Sequence, residues 1–193
     1  MEALRPPVGY ELDRAIGTTF SLDLLALLTA PLSFTIFGWE EEDGSPTADP
    51  LALFEGLRRY SDRISIFCQA GQIAVPTSSL LLLGYLEGSV IEVTPPTPGR
   101  IFHPKVWALR LTSADGPAMY RLLVLSRNLS FDRSWDTVLV LEGEVSGRKR
   151  GSTVNRPLGE FFTALPGLVV REVPEHAREA VELIQEEIRR HRL

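Results

Sequence analysis

His103 and Lys105 stand two residues apart in "RIFHPKVWALRL", and Ser126 and Asn128 stand two apart in "LSRNLS". Side chains at i and i+2 of a strand project from one face, so each spacing aims two polar groups at one point. An imidazole can attack phosphorus, while an ammonium, a hydroxyl and a carboxamide can hold the non-bridging oxygens as charge builds on them. Taken singly, His103 reads as a core histidine, and Ser126 and Asn128 read as turn formers at a strand end. Lys105 is harder to place that way, because an unpaired buried ammonium is costly. The two runs that carry these residues, 100–111 and 118–126, are strand-like and joined by the turn-rich "TSADGP". A hairpin there lays the two polar ends side by side.

The elements that must position this group alternate along the chain. Residues 21–30 read as a buried helix and 32–39 as a strand. After the acidic loop 40–50, a helix opens at Asp49-Pro50 and runs to Tyr60. A buried strand over 63–69, a helix over 78–87 and a strand over 89–95 follow, then the hairpin and a third strand over 136–143. Residues 143–157 read as a basic loop. The C-terminal stretch from Pro174 repeats Ala177, Ala180, Val181, Ile184 and Ile188 at helical steps, the apolar stripe of an amphipathic helix. The order predicts one α/β domain over 1–193, with a mixed, largely parallel sheet flanked by helices.

The 193-residue chain has a net charge of −5, but residues 100–156 hold 10 Lys and Arg against 5 Asp and Glu. The candidate residues thus lie in a locally basic segment, which suits a polyanionic partner. Cys68, the single cysteine, sits in the apolar run "ISIFCQA" and reads as a buried, inert thiol. The N-terminal stretch does not read as an export signal, and no apolar run reaches the ~20 residues that cross a bilayer. The expectation is a cytoplasmic protein with no membrane contact. No Cys, His or Asp cluster has metal-ligand spacing, so neither metal nor cofactor is expected. His176 and His191 are assigned no chemistry, and Trp107 and Trp135 are expected in the core or a pocket wall.

The pattern resembles the phospholipase D superfamily, whose signature is His-x-Lys followed, on the next strand, by Gly-Ser-x-Asn. His103, Lys105, Ser126 and Asn128 match its four polar positions, and Asp136 resembles the acid that supports the histidine in nuclease-like members. Two positions depart: Arg110 stands where the family often has an aspartate, and Leu125 where it has the glycine. The resemblance implies a phospholipase D-like half-domain and a metal-independent nuclease working through a phosphohistidine, in a setting such as bacterial restriction or anti-phage defence. Arg127, Arg133 and Lys149 are the expected contacts to the phosphates of DNA or RNA. The chain carries one copy of a motif that the family uses in pairs. A homodimer that completes one site, a larger defence complex, or half of a longer two-motif protein is therefore implied. The alternative is a non-catalytic binding or dimerisation module with the same fold.

Overall fold

The computed structural model describes residues 2–35, 50–77, 81–132, 134–145 and 153–188. Strand β1 (Glu11–Thr19) leads through the two-residue β2 (Leu22–Asp23) into helix α1 (Leu24–Thr35). Helix α2 (Pro50–Tyr60), strand β3 (Ile64–Gln69), the short β4 (Ile73–Ala74), a 3-10 run over Leu81–Ser89 and strand β5 (Val90–Val93) follow. Next come strands β6 (Val106–Thr112), β7 (Met119–Leu125) and β8 (Val138–Glu144), then helices α3 (Arg156–Ala164) and α4 (Glu175–Ile188).

The main sheet has six strands in the order β5-β3-β1-β6-β7-β8. The β5-β3 and β3-β1 pairs are parallel, and the three pairs from β1 to β8 are antiparallel. This is the mixed α/β sheet that the alternation predicts. Successive strand residues face opposite sides, and each side carries a helical layer. Trp107, Leu109, Leu111 and Leu123 pack with Leu27, Ala30 and Phe34 of α1 and Leu57 of α2. Ala108, Tyr120 and Leu122 pack on the other face with Phe162 of α3 and with Ala177, Ala180, Val181, Ile184 and Ile188 of α4. The C-terminal apolar stripe is therefore the buried face of α4.

Several expectations are corrected. The central strand β1 was not anticipated. Its sequence "ELDRAIGTT" carries charges and a glycine, yet Gly17 lies where a Cβ would stand 2.7 Å from Ile66 and 3.1 Å from the Trp107 ring. A side chain there would displace the end of Ile66 and press on the indole. Residues 32–35 continue α1 through Pro31 instead of starting a strand; 36–39 lie outside the described residues. Within this helix Thr29 and Ser33 donate to the carbonyls of Ala26 and Thr29, local bonds that hydroxyl side chains make to the preceding turn. The expected helix over 78–87 is a 3-10 run from Leu81. Helix α3 replaces the unassigned stretch after the basic loop, and Pro157 in its first turn is the start signal that could have found it. Trp107 is buried, as expected, whereas Trp135 is 98% exposed. Cys68 is fully buried, and burial pushes its thiol up to about 12.

Arg110 lies five residues past Lys105, an odd step that turns it to the opposite face. There its guanidinium donates to both oxygens of Glu187 on α4, at 2.8 and 3.0 Å, and to Asp13 at 2.8 Å. Asp13 is the extra residue of a bulge between Leu12 and Arg14, which re-aims its carboxylate. The Tyr120 hydroxyl donates to Glu187 at 2.6 Å. Burial, then this hydrogen bond, holds the phenol well above its ordinary range. Arg110 thus anchors α4 to the sheet.

Candidate active site

Strand β6 begins beside the end of β1, and β7 ends beside the start of β6, with Val106 paired to Val124 and Lys105 O accepting the Leu125 N–H at 2.9 Å. The two motif segments therefore meet at the carboxyl edge of the parallel strands, where open α/β sheets bind ligands. Two consecutive threonines of β1, missed in the sequence, hold them. The Thr18 hydroxyl accepts the Val106 N–H at 2.9 Å, and the Thr19 hydroxyl accepts the Leu129 N–H at 3.1 Å while donating to Ser21 O at 2.8 Å. Both threonines are buried. Asp23 adds a third tie, donating its N–H to Leu129 O at 2.8 Å while its side chain accepts the Leu25 N–H at the start of α1. Lys105 and Asn128 are thus each one residue from a latch on β1.

His103 and Lys105 meet. The Lys105 Nζ lies 3.0 Å from Nδ1 and 3.1 Å from Nε2 of His103, and 3.4 Å from the His103 carbonyl. The imidazole is exposed and leans on Phe20, with ring centroids 5.2 Å apart and planes at 42°. Lys105 is 9% exposed, and burial lowers its pKa. No carboxylate pairs with it among the described residues. The carboxamide oxygen of Asn128 is buried without a hydrogen-bond partner. A half-turn of that amide exchanges acceptor for donor, so the same side chain can meet a water or a phosphate oxygen.

Ser126 and Asp136 meet each other instead. The Ser126 hydroxyl donates to Asp136 Oδ1 at 2.8 Å and accepts the Thr137 N–H at 2.8 Å. The same carboxylate oxygen accepts the backbone N–H groups of Ser126 and Arg127, each at 3.2 Å. Asp136 therefore closes the β7–β8 connection, and no hydrogen bond among the described residues joins it to His103. The Arg127 guanidinium turns to the 130–132 segment, with Nε 3.3 Å from Asp132. Hydrogen bonds from Ser134 and Ser130 bring the Asp132 carboxyl down to about 2, with Arg127 adding to them. Arg133, Lys149 and His191 lie outside the described residues.

The local positive charge is largely spent. Arg110, Arg121, Arg127 and Arg156 pair with Glu187, Glu142, Asp132 and Glu160. Arg100 and Lys105 are the cations of this segment without an ion pair among the described residues. A cleft of about 430 Å³ lies elsewhere, toward β5, lined by Leu86, Val90, Glu87, Glu92 and Arg171 among others. It holds none of the residues that the motif brings together. Among the described residues no group of His, Cys, Asp and Glu could hold a metal ion, and no helix is long and apolar enough to cross a membrane.

No known family profile matches the chain, and no curated protein sequence matches it. Its fold is similar to that of yeast tyrosyl-DNA phosphodiesterase, a phospholipase D superfamily member, with 16% identity and a TM-score of 0.54 over 98% of this chain. A histidine variant of the yeast enzyme gives a TM-score of 0.56 at the same identity. The chain spans little more than a third of that enzyme, 37% of its length. At this identity the likeness is one of fold.

Proposed function

We propose that this chain is a metal-independent phosphodiesterase acting on nucleic acid, with His103 as nucleophile. The observation that carries the reading is the meeting of both His103 ring nitrogens with the buried Lys105 ammonium at the carboxyl edge of the sheet. In the proposed step a ring nitrogen attacks phosphorus and the bond to the leaving oxygen breaks. A second acid gives that oxygen its proton, and water then cleaves the phosphorus–nitrogen bond to restore the imidazole. Lys105 and Asn128 would hold the phosphoryl oxygens as their charge grows. The defence setting rests on the motif resemblance alone.

The second acid calls for a second motif. Val138 and Val140 of β8 pair with Leu125 and Leu123, on the sheet face that Lys105 shares, and they are 37% and 46% exposed. Apolar residues left open on that face of the edge strand support a second body over it. In the proposal this is a second copy of the chain, or the other half of a longer protein, bringing its own histidine. The test is trapping: incubation with a model phosphodiester, an alkaline quench and mass spectrometry of the His103 peptide. A phosphoryl adduct on His103 is expected, and turnover without one in wild type would remove the covalent mechanism.

A second reading, a non-catalytic phospholipase D-like module, is favoured by one observation. The Ser126 hydroxyl is engaged on both its donor and acceptor sides by Asp136 and Thr137. Nucleic acid bound without cleavage by wild-type chain, at a concentration where it dimerises, would select that reading.

A further inference from the structure

We infer that Gln69 is a positioning residue for His103; the inference rests on the reading of His103 as the reacting group. Gln69 ends β3, and its Oε1 accepts the backbone N–H of Phe102, the residue before His103, at 2.7 Å. Strands β3 and β6 stand two spacings apart with β1 between them, roughly 10 Å, too far for a ladder bond. Residues 101–105 precede the start of β6 and belong to no regular strand. The Gln69 side chain therefore supplies the acceptor that a neighbouring strand would otherwise give.

The contact fixes the histidine from behind. The Phe102 ring is buried between the sheet and the α3/α4 layer, so its residue is tied by both side chain and N–H. Thr18 holds Val106 at the other end of the tripeptide. His103, Pro104 and Lys105 are thus a short span pinned at both ends by side chains of β3 and β1, and the proline locks a backbone angle between them. The imidazole's lean on Phe20 and its approach to Lys105 follow from where this span sits.

Gln69 acts here through an acceptor. Turning its amide would put donor against donor at Phe102, while Nε2 lies 3.5 Å from Ala70 O, a weak tie. Gln69→Glu keeps the acceptor, and Gln69→Met keeps the length and loses it. The experiment compares both variants with wild type and His103→Ala in cleavage of a model phosphodiester, and follows the ring nitrogens of His103 by 15N NMR. Gln69→Met is expected to lower kcat roughly a hundredfold with KM within about threefold, as misplacement of a reacting group does, and to move the His103 ring signals while those of His176 stay. Gln69→Glu is expected to restore the ring signals and to bring kcat back within about tenfold of wild type.

Unchanged ring signals and kcat in Gln69→Met would overturn the inference. So would a Gln69→Glu chain that melts like wild type yet behaves as Gln69→Met. If wild type shows no cleavage that His103→Ala abolishes, the phosphodiesterase reading fails on its own. The ring signals still decide whether Gln69 sets the imidazole.

Discussion

The two ends of the β6–β7 pair each set a cation on the sheet, to opposite purposes. At the Arg110 end a guanidinium, a phenol and two carboxylates answer one another across the sheet and α4. At the Lys105 end an ammonium is buried against an imidazole, and among the described residues no carboxylate pairs with it and the Asn128 oxygen has no partner. A buried polar group without a partner costs stability. The first end therefore holds the fold, and the second keeps polar groups whose bonding capacity is unused among the described residues. The difference sets Arg110 apart from the proposed chemistry, although it lies on the strand that follows Lys105.

The comparison can be broken by substitution. His103→Ala is expected to reduce phosphodiester cleavage by at least about 10³-fold and to leave the melting temperature in place, since the ring is exposed. Lys105→Met and Arg110→Met should then move in opposite senses. Lys105→Met should lose about 10²-fold in activity with stability equal or higher by up to ~1 kcal/mol, read by urea unfolding. Arg110→Met should keep activity within about threefold yet cost about 2–3 kcal/mol, because it removes the guanidinium that donates to Glu187 and Asp13. Equal stability losses for both would erase the distinction.

The pH dependence sharpens it. Burial sets the Lys105 pKa below the ordinary lysine value of 10.5, so its ammonium should be lost, and kcat/KM fall, before pH 10.5 is reached. Its folded pKa lies under the unfolded one. Its charge therefore weakens the fold below that folded value, and the penalty lifts as pH rises toward 10.5. Lys105→Met should flatten this rise. Asn128→Ala should lower kcat roughly 10²-fold, for one donor at the transition state, without loss of stability, since the carboxamide oxygen it removes is unpaired. The smallest effect belongs to Asp136→Asn. If its carboxylate closes the β7–β8 connection, the change costs about 1 kcal/mol and leaves activity within about threefold. A hundredfold loss of activity would instead restore it as the support of the histidine.

The hairpin and α4 were legible because their apolar residues recur at strand and helix periods and the structure buries those faces. Strand β1 was not, because its place at the centre comes from Gly17 under Trp107 and from Thr18 and Thr19 bonded to the distant Val106 and Leu129, neither of which leaves an apolar pattern. His103 and Lys105 meet as their spacing suggests, although they lie just before β6 and not on the strand that the run 100–111 predicts. The engagement of Ser126 by Asp136 could not be read that way, since spacing gives a face and not the partner a hydroxyl turns to. Thr18, Thr19 and Gln69 act through backbone contacts 33 to 110 residues away in sequence, which no local signal records.

Strand β8 has a consequence for the protein as a solute. It is an edge strand with "VLVL" exposed on both faces, Leu139 at 53%. A short apolar run with no charge and no proline on a free edge is a template for cross-strand aggregation. Asp136 before it and Glu142 and Glu144 after it flank the run as gatekeepers, repelling a second edge that slides into register. A charge placed within the run should strengthen that guard, so Val140→Lys should lower the turbidity of the concentrated chain.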